Sequence, residues 1–227
     1  MKILVLRPQE NLRETVDRFR NEGFEVYGCP FIELEFVEFG VPDHDYAIVT
    51  SQILAKEICR RKLNLKKVIC IGRKTAEVLE ECGFEVFFPS RFDSETLVKE
   101  FLNELRGKKV VVLKSDAENS ALKKLSKLSN YVEIIAYKIR KLKGEEQREV
   151  ATKACEGFFD VVILSSSLIA ENFFELCAKP KAKVVAIGSP TSKVVKKFGL
   201  DPIVPNEFSF DGILEIIRGL RDGGCQY

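Results

Sequence analysis

Short runs of β-branched and other apolar residues recur along the chain, separated by longer stretches in which apolar positions return every three or four residues. The runs predict strands over residues 3–6, 25–27, 46–50, 68–71, 86–88, 110–113, 132–136, 161–164, 184–187 and 202–204. The periodic stretches predict helices over 11–21, 53–61, 75–82, 94–105, 120–128, 147–156, 169–176, 191–198 and 211–220, several of them opening with Ser, Thr, Asp or Asn as a cap. Strand and helix alternate throughout, as in βα units that feed a parallel sheet.

The pattern also repeats in detail. DYAIVTSQILAKEI from Asp45 matches DVVILSSSLIAENF from Asp160, and KVICIGRKTAEVLEECGFEVFFP from Lys67 matches KVVAIGSPTSKVVKKFGLDPIVP from Lys183. Both halves continue with a similar tail, SRFDSETLVKEFL against NEFSFDGILEIIR, and the opening KILVLRP corresponds to KVVVLKS from Lys109. Matches this long and in this order imply an internal duplication.

A cut near Gly107 would make two contiguous domains, but two further segments suggest another arrangement. Residues 32–38 alternate acidic with apolar positions, and residues 137–143 alternate basic with apolar ones. Paired antiparallel, they would set opposite charges side by side. The expected fold is therefore α/β, with two similar open parallel-sheet (flavodoxin-like) domains joined by a two-stranded β-ribbon linker. Domain 1 is then discontinuous, over 1–34 and 142–227, and domain 2 is an insert over 38–137, with linker strands at 35–37 and 138–141. The plainer alternative is that both segments are ordinary edge strands.

Composition narrows the class. The 227 residues suffice for two domains, and no apolar run approaches the roughly 20 residues that cross a bilayer, so no membrane partner is expected. The first strand follows Met1 directly, without the charged leader and apolar core of a signal peptide, which favours the cytoplasm. A net charge of +2, with basic and acidic residues interleaved, gives no reason to expect a nucleic-acid partner. Cys29, Cys59, Cys70, Cys82, Cys155, Cys177 and Cys225 are odd in number, widely spaced and free of any Cys-x-x-Cys pair, which argues against a disulfide or zinc framework, and most of them read as small buried hydrophobes. The single histidine, His44, reads as part of an exposed turn before a strand.

In open parallel sheets ligands bind beyond the carboxyl ends of the strands. Here those ends lead into Arg7-Pro8, Ser51-Gln52, Gly72-Arg73-Lys74-Thr75, Lys114-Ser115, Ser165-Ser166-Ser167 and Gly188-Ser189-Pro190-Thr191. Hydroxyls, glycines and cations beside helix N-termini attract carboxylates or phosphates. If the strand ends of the two halves face each other, they form a cleft suited to a small polyanion. Plain explanations exist for each residue: Thr75 and Thr191 as helix caps, the glycines as tight turns, Arg7 and Lys114 as surface charges. Neither a G-x-x-x-x-G-K-[ST] loop nor a G-x-G-x-x-G turn is present, so no nucleotide cofactor is expected. Tyr137 brings a phenol to the point where a strand enters the proposed ribbon, with interdomain packing as its alternative role.

Taken in order, VLRP at Val5, TSQILA at Thr50, IGRKTAEVL at Ile71, FDSETLVKEF at Phe92, AYKI at Ala136, SSSLIAENFF at Ser165 and IGSPTSKVV at Ile187 resemble the uroporphyrinogen-III synthase family over nearly the whole chain. The chain departs from the usual pattern at Ile53, where Asn is frequent, at Ser166, where Pro is common, and at Ser189-Pro190, which reorders the usual Pro-Thr. The resemblance implies a cofactor-independent monomer acting on a small molecule, hydroxymethylbilane, a linear tetrapyrrole with eight carboxylates. It further implies dehydration and cyclisation with inversion of ring D. Tyr137 would serve as proton donor to the departing hydroxyl, since a phenol keeps its proton at neutral pH, with Thr191 assisting. Arg7, Ser51, Thr75, Lys114, Ser165, Ser166, Ser167, Gly188 and Ser189 would hold the carboxylates. A two-lobed, non-catalytic ligand sensor is the alternative from another class.

Overall fold

The computed structural model describes residues 1–223. In chain order the first half carries β1 (Lys2–Leu6), α1 (Gln9–Asn21), β2 (Glu25–Cys29), β3 (Ile32–Phe36), β4 (Tyr46–Val49), α2 (Gln52–Arg61), β5 (Lys67–Cys70), α3 (Arg73–Glu81), β6 (Val86–Phe87) and α4 (Ser94–Leu105). The second half carries β7 (Lys109–Ser115), α5 (Ser120–Lys123), β8 (Asn130–Lys141), α6 (Glu145–Glu156), β9 (Val161–Leu164), α7 (Ser167–Leu176), β10 (Lys183–Ala186), α8 (Ser189–Lys197) and α9 (Phe210–Arg221). None of the described helices is long and apolar enough to cross a membrane.

Contacts gather the chain into two units, Met1–Leu34 with the chain from Arg140 onward, and Glu35–Ile139. The first unit's sheet runs β10-β9-β1-β2, all parallel, with Ile203 bridged to Val185 beyond β10. The second runs β3-β8-β7-β4-β5-β6. Ile3 to Leu6, Val161 to Leu164, Ala47 to Val49 and Val110 to Leu113 are at most 2% exposed, because helices cover both faces and leave no side for polar residues. In the first unit the apolar stripes of α1 (Leu12, Val16, Phe19) and α9 (Ile213, Ile216, Ile217) pack on one face of the sheet, and in the second α4 and α5 do the same.

The duplicated segments make the pairing intelligible. β7 repeats β1, β4 matches β9, β5 matches β10 and β6 matches the segment at Ile203. Both sheets therefore share one neighbour order, Ile203-β10-β9-β1-β2 and β6-β5-β4-β7-β8. Each sheet takes strands from both repeats, so the chain crosses from one to the other twice. The crossings are β3 and β8. Leu142 N–H donates to Phe31 O (3.0 Å) and Val37 N–H to Ala136 O (3.1 Å), so one strand ascends as the other descends. Asn172 of α7, fully buried, donates from Nδ2 to both Phe31 O (2.6 Å) and Leu142 O (2.8 Å). On the basic strand Lys141 reaches Glu175 of α7 at 2.8 Å, and Lys143 pairs with the same carboxylate, whose pKa the two ammonium groups hold down to about 2.

Several expectations need correction. The helix predicted over 120–128 is α5 followed by a 3-10 turn, Lys124–Lys127. The strand predicted over 202–204 shrinks to the single bridge at Ile203, because Pro202 and Pro205 on either side have no N–H to give a ladder. His44 is 4% exposed rather than in an exposed turn: its Nε2 accepts from Lys66 N–H (3.1 Å), which leaves Nδ1 to donate to Pro42 O (2.8 Å). The reading of the cysteines as isolated hydrophobes fails for four of them, since Cys59–Cys82 and Cys155–Cys177 are disulfides with Cα atoms 6.0 and 5.9 Å apart. Spacing along the chain carried no trace of those proximities. Cys29 and Cys70 are buried thiols, each pushed up to about 12 by burial. Cys225 lies outside the described residues.

Candidate functional site

At the carboxyl end of β4 the chain turns through Thr50 into Ser51, which caps α2 by accepting Leu54 N–H at 3.3 Å. Two strands away, the β7–β8 ladder slips: Lys114 pairs with Ile135 but Ser115 pairs with Tyr137, leaving Ala136 as an extra residue. A bulge of this kind changes the phase of the pleat and re-aims the next side chain. Ala136 and Tyr137 are consequently both buried, which regular alternation would forbid on a one-sided strand. The Tyr137 hydroxyl ends 3.1 Å from Ser51 Oγ, and its ring lies 5.5 Å from that of Phe36.

Asp116, which the sequence reading passed over, fixes this arrangement from the other side. Its N–H donates to Tyr137 O (3.1 Å) and its Oδ1 accepts Ile139 N–H (3.0 Å), so one residue grips the backbone at Tyr137 and two residues on. The sequence signal was an Asp directly after a strand, where turn-forming side chains collect. Beside this group β5 runs into Gly72, whose φ of +105° only glycine adopts without strain, and then into α3 with Thr75 buried at its first turn. Ser51 and Thr75 thus follow strands of one sheet, and Tyr137, on a strand of the same sheet, is in hydrogen-bond contact with Ser51.

Lys114 does not stand open to a ligand. It is 5% exposed, and its Nζ lies 3.3 Å from Glu133, which also accepts a 2.6 Å hydrogen bond from Tyr131. Its counterpart Arg7, in the other unit, is half-buried, donates to Thr15 Oγ1 and lies 4.1 Å over the Phe210 ring. Burial lowers the Arg7 pKa from its ordinary value, with Glu14 opposing the shift. In the same unit Ser166 caps α7 by accepting Ile169 N–H at 3.2 Å, flanked by Ser165, whose buried hydroxyl has no partner, and by Ser167, the first helical residue. Gly188 and Ser189 open α8, and Thr191 is 3% exposed in its first turn, the counterpart of Thr75. Among the described residues no cluster of His, Cys, Asp and Glu has the makings of a metal site.

A family model described as uroporphyrinogen-III synthase matches residues 13–215. The chain belongs to that family. A curated relative from Archaeoglobus fulgidus, bearing the family's name, is 50% identical over 97% of this chain and 100% of its own. A second, from Methanocaldococcus jannaschii, is 25% identical over 98% of this chain and all of its own. Among solved structures, uroporphyrinogen-III synthetase of Helicobacter pylori 26695 superimposes with a TM-score of 0.70 at 16% identity, covering 97% of this chain and 100% of that one. A mutant uroporphyrinogen III synthase of Thermus thermophilus gives 0.66 at 15% identity, over 98% and 100%. Both have the two-domain α/β fold of parallel sheets. Members of the uroporphyrinogen-III synthase family are cyclising lyases that act on a small molecule in tetrapyrrole biosynthesis.

Proposed function

We propose that the protein converts hydroxymethylbilane into uroporphyrinogen III, with residues 1–34 and 142–227 as one domain and 38–137 as the other. The observation that carries this reading is the pair Tyr137–Ser51. Ser51 Oγ already accepts Leu54 N–H, so its own proton is free for the Tyr137 oxygen, and the phenolic proton is then free to point at a ligand. A proton donor held at a strand end is what the reaction's first step asks for. The C–O bond of the hydroxymethyl group breaks as the pyrrole nitrogen's electrons push in, the Tyr137 proton goes to the departing oxygen and water leaves; the N–H proton of the resulting cation returns to the Tyr137 phenolate, and an electrophilic azafulvene remains.

The substrate closes unaided to the unrearranged isomer, so the protein's share is to hold the conformation in which the substituted carbon of ring D attacks. Positioning of that kind is worth several kcal/mol. Thr191 orients the reacting end, while Arg7, Ser51, Thr75, Ser165, Ser166, Ser167, Gly188 and Ser189 meet carboxylates through hydroxyls, helix N-termini and a guanidinium. Lys114 contributes through the Glu133 pair rather than by direct contact. The reading carries with it a monomeric chain in the cytoplasm, without nucleic acid or membrane.

The test is to supply freshly made hydroxymethylbilane and separate the isomers. Type III in excess of spontaneous type I is the expected result, with Tyr137→Phe slowing type III formation on the order of 100-fold at an unchanged unfolding midpoint. Type I alone, together with tight binding, would make the chain a binding module, and wild-type turnover by Tyr137→Phe would remove Tyr137 from the acid role.

A further inference from the structure

Among the described residues the two most exposed large apolar side chains are Phe208, at 60%, and Phe92, at 52%. They occupy the same position in the two repeats. Across the matched tails SRFDSETLVKEFL and NEFSFDGILEIIR this Phe is the single identical residue, although every neighbour has changed. An exposed aromatic kept in both halves, where buried and capping positions were free to vary, is unlike a scattered surface hydrophobe.

The bland explanation is a hydrophobic staple. Phe92 and Phe208 each precede a helix N-cap, Asp93 and Ser209, where an apolar residue often covers one at the fourth helical position. A stapling Phe would itself be largely covered by the residue it packs on, whereas Phe92 and Phe208 are 52% and 60% exposed. The Phe208 ring instead borders the loop that opens α8. A Cβ added to Gly188 would come within 3.3 Å of the Phe208 ring, so glycine there lets the aromatic lie on the loop. Two residues on, Phe210 carries the Arg7 guanidinium. In the other unit Phe92 lies 6.2 Å from Phe88, whose ring is 6.0 Å from the guanidinium of Arg73, the first residue of α3. Each unit thus has an exposed Phe next to a second aromatic that an arginine covers, although the arginines, Arg7 and Arg73, stand at unmatched positions of the repeats.

We propose that Phe92 and Phe208 are substrate-binding residues, each offering its ring to a pyrrole of the tetrapyrrole while an arginine of the same unit, Arg73 or Arg7, takes a carboxylate of that pyrrole. This rests on the function proposed above, because a carboxylate-bearing aromatic ring is the ligand that such a group fits. Aromatic contacts of this type are individually modest, so the effect is on affinity, on the order of fivefold per residue.

The chain has no tryptophan, so Phe92→Trp and Phe208→Trp each install a sole indole at the position in question. Anaerobic titration with uroporphyrinogen III is expected to change the emission of both variants saturably and to leave that of Tyr27→Trp, a surface control 37% exposed at the wild-type Tyr, unchanged. In turnover of hydroxymethylbilane, Phe92→Leu and Phe208→Leu should raise KM about fivefold at constant kcat, with Phe→Tyr at either position restoring it. Unchanged emission together with wild-type KM in both Leu variants would overturn the assignment and make the residues helix staples. Failure of the functional reading shows differently: the wild type would then make type I only, whatever the indoles report.

Discussion

The two units hold matched helix pairs together by different chemistry. In the unit of residues 35–139, Cys59 near the end of α2 is bonded to Cys82 at the end of α3. In the other unit the matched residues of α7 and α8 are Phe174 and Phe198, whose rings stack 4.6 Å apart at 19°. The same substitution of means appears two residues earlier on the same helices. Glu57 is buried and holds Arg60 and Arg61, with Arg61 reaching on to Glu38 just past β3. Its counterpart, Asn172, uses neutral hydrogen bonds to the carbonyls of Phe31 and Leu142. The frame requires a tie at each place, and the nature of the tie was free to diverge.

That equivalence is testable, beginning with the largest effect. Phe174→Ala removes a buried ring, 2% exposed, and should cost about 4 kcal/mol in chemical denaturation, whereas an exposed stack would cost far less. Replacing Cys59 and Cys82 together by Ser releases a loop with a sequence separation of 23 and should cost about 3 kcal/mol under oxidising conditions, with no difference from wild type under reduction. A loss below about 1 kcal/mol would mean that α2 and α3 need no tie at all. Asn172→Ala leaves buried carbonyls short of a donor and should cost about 2 kcal/mol by the same measurement.

The matched cations separate more subtly. Arg7→Ala should raise KM for hydroxymethylbilane a few-fold at low salt, on the order of threefold, with the effect shrinking as salt is added. Lys114→Met should instead lower the unfolding midpoint, because it strands Glu133, while a salt-dependent KM in that variant would restore Lys114 to direct contact. The smallest difference lies in acid. Hydrogen bonding to Arg60, with Arg61 beside it, holds the Glu57 carboxyl down to about 2 against the opposing cost of burial. The stabilisation is present above the unfolded carboxylate value of about 4.3 and is lost as pH falls through about 2. The stability gap between wild type and Glu57→Gln should therefore close below about pH 4, and a pH-independent gap would show that the charge is not the source.

Much of the site was legible because strand ends are predictable places for chemistry. Ser51, Thr75, Ser166 and Thr191 follow recognisable strands and open recognisable helices, so their positions could be read directly. The bulge at Ala136 could not, because a slipped ladder depends on the neighbouring strand rather than on local residues, and Asp116 offered only the general signal of an Asp after a strand. The surroundings of Lys114 were hidden for a related reason: only the pairing of β7 with β8 brings Glu133 beside it.

By itself the sequence determined the elements and the duplication, since burial on both faces writes itself into runs of Val, Ile and Leu, and caps into Ser, Thr and Asp. Which strands share a sheet it left between two readings, a discontinuous domain joined by a charge-paired ribbon and ordinary edge strands. β1 and β7 are nearly interchangeable as apolar runs, and a parallel neighbour is recognised by backbone hydrogen bonds that every residue offers alike. The two disulfides and the meeting of Tyr137 with Ser51 follow from the choice of partners, which tertiary packing alone decided.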